Sequence, residues 1–158
     1  MNPTFTFMDN EVKEPAPKYN YISPDEYLEM DRASEVKLEY YEGYVQAMNT
    51  TGIKHAHISK NLTVKLGNAL KNSNCEILHS GLRVATPGRD AYIYPDILIY
   101  CSGPILEDNR NDTLLNPKVV FEILSPSGHR YDFDHRLRCC QNIPSVKEYI
   151  MIDSRKRF

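Results

Sequence analysis

Two apolar runs in this chain each carry one carboxylate: YPDILIY, from Tyr94 to Tyr100, and PKVVFEILS, from Pro117 to Ser125. Runs this short and this rich in Ile, Val, Tyr and Phe read as buried strands rather than helices. A strand covered on both faces is apolar along its whole length, so an acid inside one is out of place. Burying an ionised carboxylate without a partner costs several kcal/mol. Asp96 and Glu122 therefore need compensation. If the two strands are neighbours, the acids repel, and unless one takes up a proton the natural compensator is a divalent cation; separately satisfied salt bridges would do as well. Outward-facing positions would leave the work to solvent.

The rest of the chain supplies a frame for these strands. SPDEYLEM predicts a short helix with Ser23 as N-cap, Pro24 at its first position and acids in its first turn, ending between Asp31 and Ser34. VKLEYYEGYVQAM predicts a hairpin that turns at Glu42-Gly43. From Ile53 to Asn72 the period changes, with Ile58, Leu62, Leu66, Ala69 and Leu70 recurring at helical spacing. CEILHSG and LRVAT read as short strands parted near Ser80-Gly81, and AYIYPDILIYCS as one strand interrupted at Pro95. GPILEDNRNDTLLN reads as a polar loop. A further helix runs through Leu137 and Gln141 to Pro144, and VKEYIMID is a last strand.

This order predicts a single α/β (α+β) domain over residues 21–158, a mixed β-sheet flanked by helices. Residues 1–20 show no periodicity and read as a mobile arm. The length of 158 residues suits one domain, and 41% hydrophobic with 25% charged residues is the balance of a soluble globular protein.

A net charge of −2 excludes a global basic field. Locally, Arg130, Arg136, Arg138, Lys147, Arg155, Lys156 and Arg157 outnumber Asp132, Asp134, Glu148 and Asp153, so one face could still meet phosphates. The same residues also fit an ordinary solvated surface. Cys75, Cys101, Cys139 and Cys140 form no CxxC pair, so zinc is not expected through them. They read as free thiols in a reducing cytoplasm. No run approaches the roughly 20 apolar residues that span a membrane, and no apolar signal segment opens the chain.

A pair of strand-borne acids suits hard cations such as Mg²⁺ or Mn²⁺. Such an ion can polarise a phosphoryl oxygen and acidify a bound water. Here the residues resemble a known group. PD, followed by an acid on the next strong strand, looks like the PD-(D/E)XK nuclease superfamily. Within it the chain is similar to the restriction-endonuclease-like Uma-two family. The similar segments run in the family's order from Tyr21 to Asp153: SPDEYLEM, KLEYYEGYVQAM, HAHISKNL, YPDILIY, VVFEILSPS, RYDFDHR and IPSVKEYIMID.

The resemblance implies a restriction-endonuclease-like core and a Mg²⁺-dependent (or Mn²⁺-dependent) DNA endonuclease, working as a homodimer. It implies that Asp96, Glu122 and the backbone carbonyl of Ile123 hold the metal. Glu39 would bind or orient a metal-bound water, and His55, at the start of the long helix, would contact substrate or support Glu39. Asp132 matches an acid ahead of the last helix; Arg130 and Arg138 are further candidates for substrate contact. The chain departs from the family at three places. Leu124 stands where the superfamily has its lysine. Arg136 stands where the family supplies that lysine, four residues after Asp132, and Cys140 replaces a tyrosine. An arginine keeps the positive charge but does not release a proton to act as a base. The chain also stops at Phe158, short of the family's usual further strand or hairpin. These departures open a second reading, a nuclease-fold protein that binds nucleic acid without efficient cleavage. A third is a structural or interaction protein whose acids are ordinary surface charges, which carboxylates on opposite faces of the sheet would support.

Overall fold

The computed structural model describes residues 20–79, 81–124 and 130–155; the side chains of 130–133 fall outside that description. So do residues 1–19, which make up nearly all of the expected arm. Helix α1 (Pro24–Ala33) begins as its sequence requires. The Ser23 hydroxyl accepts from the Glu26 amide at 3.3 Å, and the Glu26 carboxylate accepts from the Ser23 amide at 2.8 Å. Strands β1 (Leu38–Tyr41) and β2 (Tyr44–Ala47) form the expected hairpin. Its turn residues Glu42 and Gly43 both have positive φ, 42° and 93°, the geometry that suits a two-residue hairpin. A side chain at Gly43 would also collide with the ring of Tyr21, 2.3 Å from the position of a Cβ.

Helix α2 (Ile53–Leu70) is followed by β3 (Cys75–His79), β4 (Arg83–Ala85), β5 (Ala91–Ile93), β6 (Ile97–Cys101), β7 (Thr113–Leu114) and β8 (Val119–Leu124). Helix α3 (Arg130–Gln141) and β9 (Glu148–Asp153) complete the domain. The strands form two mixed sheets, ordered β2-β1-β5-β4-β7 and β3-β6-β8-β9. In each, one parallel pair joins antiparallel ones: β4 with β7, and β8 with β9.

Strand alternation distributes the core. Ile97, Ile99 and Phe121 face α2, whose Leu62, Leu66 and Leu70 pack on them at helical spacing. Leu98, Tyr100 and Val120 face the other way, onto Cys139 and Cys140 of α3 and onto Val84, Ile93 and Leu114 of the first sheet. Helix α1 covers the far side of that sheet, with the Tyr27 ring stacked on Tyr40 at 5.1 Å and tilted against Tyr92 at 5.0 Å. Each fully buried side chain of this size contributes about 1.5–3 kcal/mol.

Three expectations are corrected. AYIYPDILIYCS is not one interrupted strand: β5 lies in the first sheet and β6 in the second, so Tyr94-Pro95-Asp96 is a crossover between sheets. Pro95 has no amide hydrogen to continue a ladder, and it is fully buried at that crossing. The polar segment 103–116 is not simply a loop. It contains β7, and Arg32 binds both Asp108 and Asp112, which lets an acidic stretch pack against the body. Finally, Cys75 and Cys101 are not free thiols. The register of β3 against β6 makes them direct partners, 3.9 Å apart at Cα, and they are disulfide-bonded. Their separation of 26 residues gives no sign of that pairing in the sequence. Cys139 and Cys140 are free and buried, as expected.

Candidate functional site

The site forms where the chain leaves one sheet and enters the other. At Tyr94 the first sheet's ladder stops, and the Tyr94 amide donates to Glu39 Oε1 at 2.8 Å instead of to a strand carbonyl. Tyr40 of β1 is buried under α1, so its neighbour Glu39 projects from the opposite face, toward the crossover. On the other side of Pro95, Asp96 does the same for the second sheet. Continuing the β6–β8 register by two residues would set Pro95 opposite Ile123; the Ile123 amide donates to Asp96 Oδ2 at 2.7 Å. Both carboxylates thus replace ladder acceptors that the crossing removes.

Glu122 sits next to this, on the β8 face turned toward α3, with 0% exposure. Arg136 reaches across from α3 and binds two of the acids at once, Nη1 to Glu122 Oε2 and Nη2 to Glu39 Oε2, each at 2.9 Å. His55, in the first turn of α2 and 8% exposed, holds the remaining oxygen of Asp96, with Nε2 3.0 Å from Oδ1. Glu39, Asp96, Glu122, Arg136 and His55 therefore converge. Asp96 lies close enough to act on the charge of Glu122, which speaks against the structural-protein reading. His55 supports Asp96, not Glu39. Arg138 is exposed and makes none of these contacts. The side chains of Arg130 and Asp132 lie outside the described residues.

The electrostatics leave the cluster short of positive charge. Among the described residues, three carboxyl groups share one permanent cation, because His55 is charged only when protonated. Burial pushes the Glu122 carboxyl up to about 8; Arg136 pulls it back, while Asp96 and Glu39 push it up again. Arg136 loses solvation by burial, yet Glu122 and Glu39 hold its pKa above the ordinary arginine value. Glu122 Oε1 is buried with no hydrogen-bond partner among the described residues. A buried oxygen of this kind calls for a proton or a second cation.

The donors present fit a hard divalent ion. The available oxygens are Asp96, Glu122 Oε1 and the carbonyl of Ile123. A strand residue turns its amide and carbonyl toward the same neighbour, so this carbonyl faces the side where Asp96 already takes the amide. Among the described residues no three His, Cys, Asp or Glu side chains form a ready cage for a metal. Two carboxylates and a carbonyl leave several positions to water, as Mg²⁺ prefers.

Asp96 and His55 also line a cleft of about 760 Å³ between α2 and the hairpin, bordered by Lys37, Lys60 and His79. Sequence reading did not find these three residues. The signal for Lys60 was present: His55, Ala56, Ser59, Lys60 and Thr63 form a second stripe at helical spacing, beside the apolar one. Lys37 and His79 reach the cleft through strand pairing, and nothing local marks them.

The two mixed sheets with flanking helices, and acids gathered where one sheet passes into the other, define a restriction-endonuclease-like protein. A putative nuclease of the DUF820 group from Anabaena variabilis shares the fold, with a TM-score of 0.69, 22% identity, and coverage of 84% of this chain and 74% of that one. The profile of the Uma2 family, described as "Putative restriction endonuclease", matches residues 24–157, and the chain belongs to that family. Two uncharacterized Synechocystis proteins are similar along most of their length. The protein slr1290 is 29% identical over 141 residues, 89% of this chain and 73% of its own; sll1609 is 27% identical over 132 residues, 84% and 75%.

Proposed function

We propose that the protein is a metal-dependent DNA endonuclease that hydrolyses phosphodiester bonds at the Glu39–Asp96–Glu122–Arg136 cluster. The observation that carries this reading is an oxygen of Glu122, fully buried, without a hydrogen-bond partner among the described residues and under the influence of the Asp96 charge. Asp96, Glu122 and the Ile123 carbonyl would hold Mg²⁺ or Mn²⁺, which when bound polarises a phosphoryl oxygen and acidifies a water. The residues of the chain do the rest. His55 fixes the rotamer of Asp96. Glu39, already tied to the Tyr94 amide, is placed to orient a water at the cluster. Arg136 supplies positive charge where charge develops on the phosphoryl oxygens, and it does not act as the base. A homodimer would set two such sites against two strands.

The second reading, nucleic-acid binding without efficient cleavage, is favoured by one observation. Arg136 already engages both Glu39 and Glu122, so its charge is partly spent within the protein. Incubation with supercoiled plasmid in Mg²⁺ or Mn²⁺ separates the two. Cleavage is expected in the wild type and should fall at least about 100-fold in Asp96→Asn and in Glu122→Gln, the scale set by loss of a key transition-state contact. Cleavage that persists in both variants removes the assignment. A wild type that binds but does not cut, with cutting gained in Arg136→Lys, establishes the second reading.

A further inference from the structure

The cleft shares His55, Tyr94 and Asp96 with the acid cluster, and the rest of its lining has a chemistry of its own. Its volume of about 760 Å³ is within the roughly 300–1,000 Å³ of pockets that enclose an organic ligand. Lys37, just before β1, and Lys60, on α2, border it with no ion-pair partner among the described residues. Lys37 is held in place by the Tyr94 ring, 5.1 Å from Nζ to the centroid. Asp96 is the single carboxylate of the lining among the described residues, so cations dominate away from the floor. Between them lie Val36, Met48 and Val64, and Val36 and Val64 are 54% and 57% exposed.

Cations interleaved with exposed apolar side chains match one ligand chemistry closely. A single nucleic-acid strand offers phosphates to the lysines and unstacked base faces to the apolar surface. A duplex offers the same phosphates but keeps its base faces stacked inside, which would leave Val36, Met48 and Val64 idle. An inorganic anion would leave them idle too. We propose that this cleft binds a short unpaired stretch of nucleic-acid strand, with phosphates at Lys37 and Lys60, and leads it to Asp96. The last clause rests on the nuclease reading; the binding itself does not.

Fluorescence anisotropy with a labelled oligo-dT, alone and annealed to oligo-dA, tests this in EDTA, where no cleavage intervenes. The single strand is expected to bind at least about tenfold more tightly than the duplex. Each phosphate contact on a single strand adds about 0.7 to the slope of log K against log salt. The Lys37→Gln/Lys60→Gln double variant should therefore lower that slope by about 1.4 and weaken binding by about an order of magnitude. Lys118→Gln, an exposed lysine outside the cleft, should leave both unchanged. Equal affinity for duplex, or a double variant with the wild-type slope, overturns the proposal. Lysine-dependent single-strand binding without cleavage in any metal upholds the cleft and defeats the nuclease reading. Cleavage with a salt slope indifferent to both lysines does the reverse.

Discussion

Glu122 is fully buried, with one oxygen on the Arg136 guanidinium and the other without a partner among the described residues. That imbalance has a consequence for stability. The ordinary value of 4.5 is raised to about 8 in the fold, chiefly by burial. Between these values the folded protein holds a proton that the unfolded chain gives up. The contribution is complete below about 4.5 and is lost as the pH rises to about 8. Thermal melts of the metal-free protein should therefore fall over that window, and Glu122→Gln, uncharged throughout, should flatten the fall. An undiminished slope in Glu122→Gln would assign the titration to another group. Arg136 is the other residue on which the chemistry turns: a planar fork can bridge two carboxylates at once, which a lysine ammonium does less well.

At the scale of elements, a buried network joins α1, β4 and the segment before β7. Arg83, 1% exposed, binds Asp31 through Nη1 and Asp112 through Nη2, both at 2.5 Å, and its Nε donates to Thr113 Oγ1 at 3.1 Å. Asp31 also accepts from the Tyr94 hydroxyl at 2.6 Å and from the Leu38 amide at 2.8 Å. Arg32 and Arg83 together hold the Asp112 carboxyl well below the usual carboxylate range. The network fixes both ends of β1 and β5 from which Glu39 and the crossover project. Removing one partner of a buried pair strands the other, at a cost of about 3–5 kcal/mol. Urea denaturation of Arg83→Met should show a loss of that size, with β7 and α1 losing hydrogen-exchange protection together. A loss under about 1 kcal/mol would show that the pair stabilises little beyond its own desolvation.

For the molecule as a whole, the acid cluster lies between two sheets and two helices, so anything bound there is bound only by the folded state. Mg²⁺ or Mn²⁺ should raise the melting temperature of the wild type, by about 2.7 kcal/mol of stability at a hundred times Kd. In Asp96→Asn and Glu122→Gln the same additions should have little effect. A metal-dependent rise that survives both substitutions would place the ion elsewhere. Among the described residues no helix is long and apolar enough to cross a membrane.

Much of this architecture was legible in the residues. The capping signals at Ser23, the Glu42-Gly43 turn, the Leu62-Leu66-Leu70 stripe and the apolar run through Glu122 are local codes, written at helical or strand period. Glu122 stood out for a related reason: a carboxylate inside a buried apolar run is conspicuous whatever surrounds it, whereas Glu39 was marked only by the family resemblance. What compensates the acids was not legible. Whether Asp96 meets His55, whether Arg136 bridges Glu39 and Glu122, and whether Cys75 meets Cys101 depend on register and on which sheet a strand joins. Those are long-range pairings with no local trace. Pro95 shows the division clearly. By itself the sequence determined that the strand must break there, because proline has no amide hydrogen. Only the tertiary structure decided that the break is a passage between two sheets, where Glu39 and Asp96 take the place of the lost ladder acceptors.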